Sequence, residues 1–330
     1  MKVTPWNGQP ISAPGIYSGI PMEAYHGADL CVGPSVSSSQ LRTIFGDSPM
    51  DYWIHSPLNP QRLPQPPKEA YILGRGAHHL LLGEADFAKH FTVQPETYTD
   101  AKTGEVKKWS GNATVCRQWK ERVTDAGLTI LTAGQIEAIK GMAGVLPWQE
   151  GLEDSGLKNT AVVRAGALEG LVEHSIIAKD DETGLWIKSR PDVIPLDSRE
   201  FMDFKTSADV SDEAIRKTLE SYRYDMQADL ANQCLKGAIG EAFTNMGFVF
   251  ALKTPPHATN AVEIDPLDLA EAEADNRAAL RTLARCIDTG RWPGPAGKRG
   301  DAATISRSEW SRKNAIGRRT FLQLELDNAA

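Results

Sequence analysis

WIKSRPDVIPLDSREFMDFKTS, residues 186–207, is the stretch whose reading decides the fold of this chain. Asp192 follows Pro191 and precedes Val193 and Ile194, which places it where an apolar strand begins. Further on, Asp203 and Lys205 flank Phe204 within Phe201-Met202-Asp203-Phe204-Lys205. Residues two apart in a strand share a face. Asp203 and Lys205 therefore point one way, while Met202, Phe204 and Thr206 point the other. A hairpin closed by Pro195 to Glu200 would set Asp192 beside this acid–base pair. Two carboxylates and a lysine converging on one point suit Mg²⁺, which prefers oxygen ligands. A D-x-K alone says little, because exposed acids and lysines are common. Pro-Asp, a turn, and then apolar-Asp-apolar-Lys is a narrower pattern.

Composition bounds the rest. The chain has 330 residues, is 41% hydrophobic and 24% charged, and suits one large globular domain or two closely fused ones. Its longest apolar runs, such as Gly247 to Leu252, are far too short to span a bilayer. The opening MKVTPWNGQP lacks the apolar core of a signal peptide, so the cytoplasm is the expected compartment, with no membrane partner. Cys31, Cys116, Cys234 and Cys286 are scattered and form no C-x-x-C pair, which predicts buried free thiols. A net charge of −7 argues against a protein that coats nucleic acid non-specifically, yet allows a local basic channel.

Taken in order, residues 1–22 are rich in Pro, Gly and Ser and read as an irregular lead-in. A serine-capped helix follows, with Leu41, Ile44 and Phe45 at helical spacing. Ser48 caps a second helix with Pro49 at its first position. In AYILGRGAHHLLL, residues 70–82, Gly74 and Gly76 permit close helix packing. Adjacent His78 and His79 must there point about 100° apart, so one can face a site while the other faces core or solvent. Amphipathic helices are expected over 114–125 and 133–147. The period then changes. Residues 161–163, 171–177, 185–188 and 201–205 read as strands of an antiparallel meander. Ser211 caps a long helix running to about Leu235, strands are expected over 244–252 and 261–264, and Asp265-Pro266 opens a helix that ends at Gly290. Residues 306–313 form a short basic strip on the surface.

In this order the motifs resemble the exodeoxyribonuclease VIII (RecE-type) branch of the PD-(D/E)xK nuclease superfamily, over most of residues 22–255. The resemblance is carried by Tyr25-His26, Ser37-x-Ser39-x-Leu41, Ser48-Pro49, Tyr52-Trp53 and Gly74 to His78. It continues through Glu173, Arg190-Pro191-Asp192, Asp203-Phe204-Lys205-Thr206, and a helix with Tyr224 and Gln227. It implies an α/β fold: a restriction-endonuclease-like core whose central mixed β-sheet is flanked by helices. On that reading the nuclease domain covers 23–290, with a helical part at 23–150 and a catalytic sheet core at 160–255. A C-terminal extension covers 291–330.

The resemblance also assigns roles. His78, Asp192 and Asp203 would be metal ligands, joined by a backbone carbonyl beside Lys205. Lys205 would orient the attacking water and offset charge on the phosphate. Glu173 would be an outer or second-metal acid, or simply an exposed acid in a strand. A histidine ligand suits Mn²⁺ better than Mg²⁺, so either ion is expected to serve. Ser37 and Ser39, at a helix N-terminus, would hold a terminal 5′-phosphate or merely cap the helix. Arg42, Arg75, Lys188 and Arg190 would line a basic wall. Where the family has Gln-x-x-x-Tyr, Gln227 is followed by Ala231, so that tyrosine's role is lost or moved to Tyr222 or Tyr224.

The implied activity is a 5′-to-3′ exonuclease on double-stranded DNA ends, a homo-oligomeric ring supplying 3′ overhangs to a single-strand-annealing partner. A related endonuclease or single-strand nuclease is the alternative, and a catalytically silent DNA-end-binding subunit a further one. The iron–sulfur nucleases of CRISPR adaptation fit less well, because a C-terminal cysteine cluster is missing.

Overall fold

The computed structural model describes residues 1–64, 70–81, 87–143, 170–196, 200–296 and 302–329. Two compact units are present, Met1–Gly294 and Pro295–Ala330. In the first, β1 (Val3–Pro5), β2 (Gly15–Ser18), α1 (Met22–His26), β3 (Ser35–Ser37), α2 (Ser38–Gly46) and α3 (Pro49–His55) come first. Then follow α4 (Ala70–Leu81), α5 (Phe87–His90), β4 (Phe91–Val93), β5 (Thr97–Thr99), β6 (Val106–Lys108), α6 (Thr114–Asp125), β7 (Thr129–Leu131) and α7 (Ala133–Ala143). The catalytic half runs β8 (Gly170–Val172), β9 (Ser175–Lys179), β10 (Trp186–Ser189), β11 (Val193–Pro195) and β12 (Glu200–Ser207). It is completed by α8 (Asp212–Tyr222), α9 (Tyr224–Ile239), β13 (Asn245–Leu252), β14 (Thr259–Glu263) and α10 (Pro266–Thr289).

The expected α/β architecture with mixed sheets is present. One sheet has the order β1-β2-β9-β10-β3, with β9 and β10 antiparallel and β10 and β3 parallel. A second has the order β12-β13-β14, and β11 pairs with β8. Helix signals read from sequence hold at the atomic level. The Ser48 hydroxyl accepts the Asp51 N–H, Asp265 accepts the Leu267 N–H ahead of Pro266, and Gly290 closes α10 at φ 65°. All four cysteines are buried and free.

Four expectations are corrected. Residues 1–22 are not irregular: β1 and β2 extend the five-stranded sheet beside β9. The antiparallel meander fails at β12, which pairs in parallel with β13. Phe201, Met202, Asp203 and Phe204 are all buried, so this strand is covered on both faces. Helices provide that cover, α9 of the crossover to β13 on one face and α4 and α7 on the other. Nor do β11 and β12 form a hairpin ladder, since β11 pairs with β8 and Asp192 reaches β12 through side-chain bonds. Finally, the helix expected from Ser211 to Leu235 is broken at Arg223, which adopts the left-handed conformation (φ 50°, ψ 52°). The Arg223 guanidinium donates to Asp225 and Asp275, and this bridge holds a conformation that a non-glycine residue otherwise resists. The strand expected at 161–163 lies outside the described residues, as do the last residues of the 133–147 helix and positions 197–199 of the expected hairpin turn.

The core positions β12 between two helical layers. Phe201 belongs to the main core with Met226, Leu230, Phe248 and Leu280, contributed by α9, β13 and α10. Met202 and Phe204 project to the other side and pack with Ala77 and Ile139 of α4 and α7. Gly76 permits that approach, because a Cβ there would come within 3.0 Å of Leu131. Alternation along one strand thus sends Asp203 and Lys205 toward α9 and anchors α4 behind them.

The second unit contains α11 (Glu309–Ala329), which sequence reading reduced to a surface strip at 306–313. Its exposed Trp310, Ile316 and Phe321 do not share one stripe, so no amphipathic period announces the helix. Among the described residues, no helix is long and apolar enough to cross a membrane.

One core acid tunes stability. Asp229 of α9 is buried and accepts hydrogen bonds from Gln233 (2.5 Å) and Asn276 (2.8 Å). Burial pushes its pKa up to about 6 from an ordinary 3.8, although both amides oppose the shift. The folded state therefore binds this proton more tightly than the unfolded chain. Its stabilising contribution is complete below about pH 4 and is lost as pH rises through about 6. Asp229→Asn, which retains an acceptor oxygen, should raise unfolding free energy above pH 6 by roughly 1–3 kcal/mol. Urea unfolding of both proteins from pH 4 to 8 tests this: a pH-independent difference between them would exclude Asp229 as the cause.

Candidate active site

His78, Asp192 and Gln227, from distant parts of the chain, converge on Asp203, Phe204 and Lys205 of β12. Asp203, 1% exposed, accepts from three donors: the Lys205 ammonium, the Gln227 amide at 2.9 Å, and the Asp192 N–H at 3.2 Å. Asp192 in turn accepts the Phe204 N–H at 2.6 Å on one oxygen, and its other oxygen lies 2.9 Å from His78 Nδ1. These bonds tie β11 to β12 without a shared ladder. The His78 ring is steadied edge-on by Phe204, with centroids 5.4 Å apart.

The charges are strongly coupled. Burial alone would raise the Asp192 pKa, but His78, Lys205 and the Phe204 N–H overcome it and hold this carboxylate well below the usual range. Asp203 goes the opposite way, pushed up by burial and by the adjacent Asp192 charge against the pull of Lys205. Burial would lower His78, yet Asp192 raises it above an ordinary histidine. Burial would also lower Lys205, yet Asp203 and Asp192 keep it firmly protonated. Two neighbouring carboxylates are thereby pushed apart in acidity, as is common at reactive centres.

A metal fits this donor set. His78, Glu173 and Asp192 each offer a ligand atom within 4.8 Å of the others. Glu173 is a non-glycine residue at φ 54°, and its N–H donates to the Asp192 carbonyl at 3.1 Å. An imidazole with carboxylate oxygens matches the preferences of Mn²⁺ and, with fewer nitrogens, Mg²⁺. Asp203 stands next to this group, its oxygens engaged by Lys205, Gln227 and the Asp192 N–H.

The fold and this site fit a known family. The sequence profile of the family described as "PDDEXK-like domain of unknown function (DUF3799)" matches residues 60–301. The chain belongs to that family. Among solved structures, a "Putative exonuclease" from Eubacterium rectale resembles it with a TM-score of 0.50 at 12% identity, covering 82% of this chain and 90% of that one. A phage related exonuclease from Haemophilus somnus 129PT matches at 13% identity over 66% of this chain and 95% of that one, with a TM-score of 0.27. At such identity the first likeness speaks to the fold alone, and the second carries no argument. No curated protein matches the chain.

In this PDDEXK-like domain the site opens into a cleft of about 660 Å³. His78, Glu173 and Lys205 line it, together with Arg42, Arg75, Arg190, Tyr224 and Gln227. Arg190 is partly committed: it donates to Ser175 and to the Ile20 carbonyl and lies over the Tyr25 ring. Arg75 is exposed and lies over Phe91. Ser37 and Ser39 fall outside the cleft lining. Ser37 is buried, its N–H donating to Gln40 at the start of α2, and its hydroxyl lies 3.2 Å from that of Ser39.

Lys188 corrects the expected basic wall. It is fully buried, donates to the Tyr25 carbonyl and the Ser35 hydroxyl, and has its pKa lowered to about 8 by burial. Of the adjacent histidines, His78 faces the site and His79 is buried among Phe87, His90 and Phe91. Ala231 is wholly buried and does not line the cleft, whereas Tyr224 does. Lys253 is a lining cation that sequence reading missed. Its signal was position: it follows β13, whose parallel register with β12 sets its N–H on the Ser207 carbonyl.

Proposed function

We propose that this protein is a metal-dependent exonuclease of RecE type that degrades double-stranded DNA from 5′ ends and leaves 3′ overhangs. One observation carries the reading: His78 and Lys205 line a cleft that also bears Arg42, Arg75 and Lys253, and the buried carboxylates Asp192 and Asp203 bond to them directly behind its wall. A cationic rim draws a phosphodiester backbone toward the acids despite the net charge of −7. His78, Asp192 and Glu173 would hold Mg²⁺ or Mn²⁺, with Asp203 completing the set; the ion when bound makes its water acidic and neutralises phosphate charge. Gln227 and Lys205 fix the Asp203 carboxylate. The Lys205 ammonium, which stays protonated, is placed to stabilise charge developing on the phosphate. A homo-oligomeric ring and a single-strand-annealing partner complete the proposal and rest on the sequence resemblance alone.

Linear duplex labelled at either end, incubated with Mg²⁺ or Mn²⁺, tests the reading. Mononucleotides should be released stepwise from 5′ ends, with none released by Asp203→Ala. Nicking of closed circles or release from 3′ ends would replace the proposal with a different nuclease, and binding without cleavage would point to a silent end-binding subunit.

A further inference from the structure

The break at Arg223 does more than interrupt a helix. It brings Tyr222, the last residue of α8, and Tyr224, the first of α9, onto the same side, with their rings stacked at 5.6 Å and 17°. Tyr224 in turn stacks on Phe248 at 5.1 Å and 26°. Phe248 is fully buried, Tyr224 is half-buried, and Tyr222 is 53% exposed, so three rings form a column running from core to solvent. The column borders the active-site cleft, which Tyr222 and Tyr224 both line. Lys205 Nζ lies 5.3 Å from the Tyr224 centroid, and the Arg42 guanidinium lies 5.7 Å from it while donating to the Tyr222 carbonyl.

The column ends in a large aromatic face at the mouth of a cationic cleft. Aromatic faces beside phosphate-directed cations are the means by which proteins hold single strands, because every nucleobase has a π-face to stack. A base inside a duplex is already covered by its neighbours and cannot meet such a face without leaving the stack. We infer that Tyr222 is a stacking platform for an unpaired nucleobase, so the cleft receives a frayed or single-stranded end rather than intact duplex. The inference rests on the nuclease reading and adds the form of DNA that the site takes.

The test uses a short duplex with a frayed 5′ end carrying 2-aminopurine, bound in Ca²⁺ so that binding is read without turnover. The wild-type protein should quench the fluorophore. Tyr222→Phe and Tyr222→Trp should quench it too, whereas Tyr222→Ala should not and should bind roughly 5- to 150-fold more weakly. An abasic nucleotide moved along the strand should weaken wild-type binding at one position and leave Tyr222→Ala indifferent. Tyr222→Ala should remain folded, with a midpoint of thermal unfolding lowered by only a few degrees, since half of the ring is exposed and it gives up a single stacking contact with Tyr224. If Tyr222→Ala binds and quenches like wild type while Mn²⁺-dependent cleavage persists, the platform is wrong and the nuclease reading stands. If the wild-type protein neither binds nor cuts any DNA end, both fall together.

Discussion

Lys205→Met should lower the single-turnover cleavage rate by about 10²–10³-fold while leaving DNA affinity in Ca²⁺ within a few-fold of wild type. The expectation follows from where the ammonium is held. Its Nζ lies 5.3 Å and 5.6 Å from the ring centroids of Tyr224 and Phe248 and meets Asp203, and burial fails to neutralise it because Asp203 and Asp192 stand close. An ammonium kept charged at this depth stabilises negative charge with little reorganisation, and methionine fills the same volume without it. The substitution also leaves Asp203 with only the Gln227 amide and the Asp192 N–H. Removing one partner of a buried pair is costly, so a loss of stability on the order of 3 kcal/mol should accompany the catalytic defect. Urea unfolding reads the second effect and burst cleavage the first. Cleavage within tenfold of wild type, from a variant that is demonstrably folded, would remove Lys205 from the chemistry.

How far the sequence disclosed this site depends on which physical rule each residue obeys. Asp203 and Lys205 were legible because strand alternation needs no tertiary information. His78 was half-legible: helix geometry separated it from His79, but only packing shows which of the two meets Asp192. The partner of β12 was illegible, because a buried strand reads as the same apolar run whether its neighbour is parallel or antiparallel. The two short strands before residue 19 were hidden by Pro and Gly: Pro5 stands in β1, the sheet's edge, where a missing N–H is tolerated, and Gly15 opens β2. Arg223 was hidden for a different reason: nothing in Ser221-Tyr222-Arg223-Tyr224-Asp225 breaks a helix locally. The left-handed turn is bridged not only by Asp225 but by Asp275, 52 positions away in α10. The tyrosine column that this turn creates was invisible for the same reason.

The role of Glu173 separates two descriptions of the metal site, and metal-linked stability can decide between them. Sequence motifs group His78 with Asp192 and Asp203, whereas the structure groups His78 with Glu173 and Asp192. If Glu173 contributes a ligand atom, Glu173→Gln should weaken Mn²⁺ binding about tenfold, and His78→Ala by roughly 10- to 100-fold. The consequence for folding follows from mass action. At a Mn²⁺ concentration of about 100 times the wild-type Kd, binding stabilises the native state by about 2.7 kcal/mol. A tenfold weaker variant gains only about 1.4 kcal/mol under the same conditions. Glu173→Gln and His78→Ala are cleaner probes than Asp192→Asn, because Asp192 also accepts the Phe204 N–H and its loss disturbs β12 directly. Calorimetric titration gives the affinities, and urea unfolding with and without Mn²⁺ gives the linked stabilities, neither of which depends on cleavage. A wild-type Mn²⁺ response in Glu173→Gln, alongside a lost response in His78→Ala and Asp203→Asn, would return the site to the sequence-derived trio. The same experiment bears on backbone strain, since Glu173 sits at φ 54°, a conformation that a non-glycine residue adopts at a cost. Glu173→Gly relieves that conformation, so a fall in Mn²⁺ affinity in a variant whose metal-free urea unfolding matches wild type is assigned to the missing carboxylate.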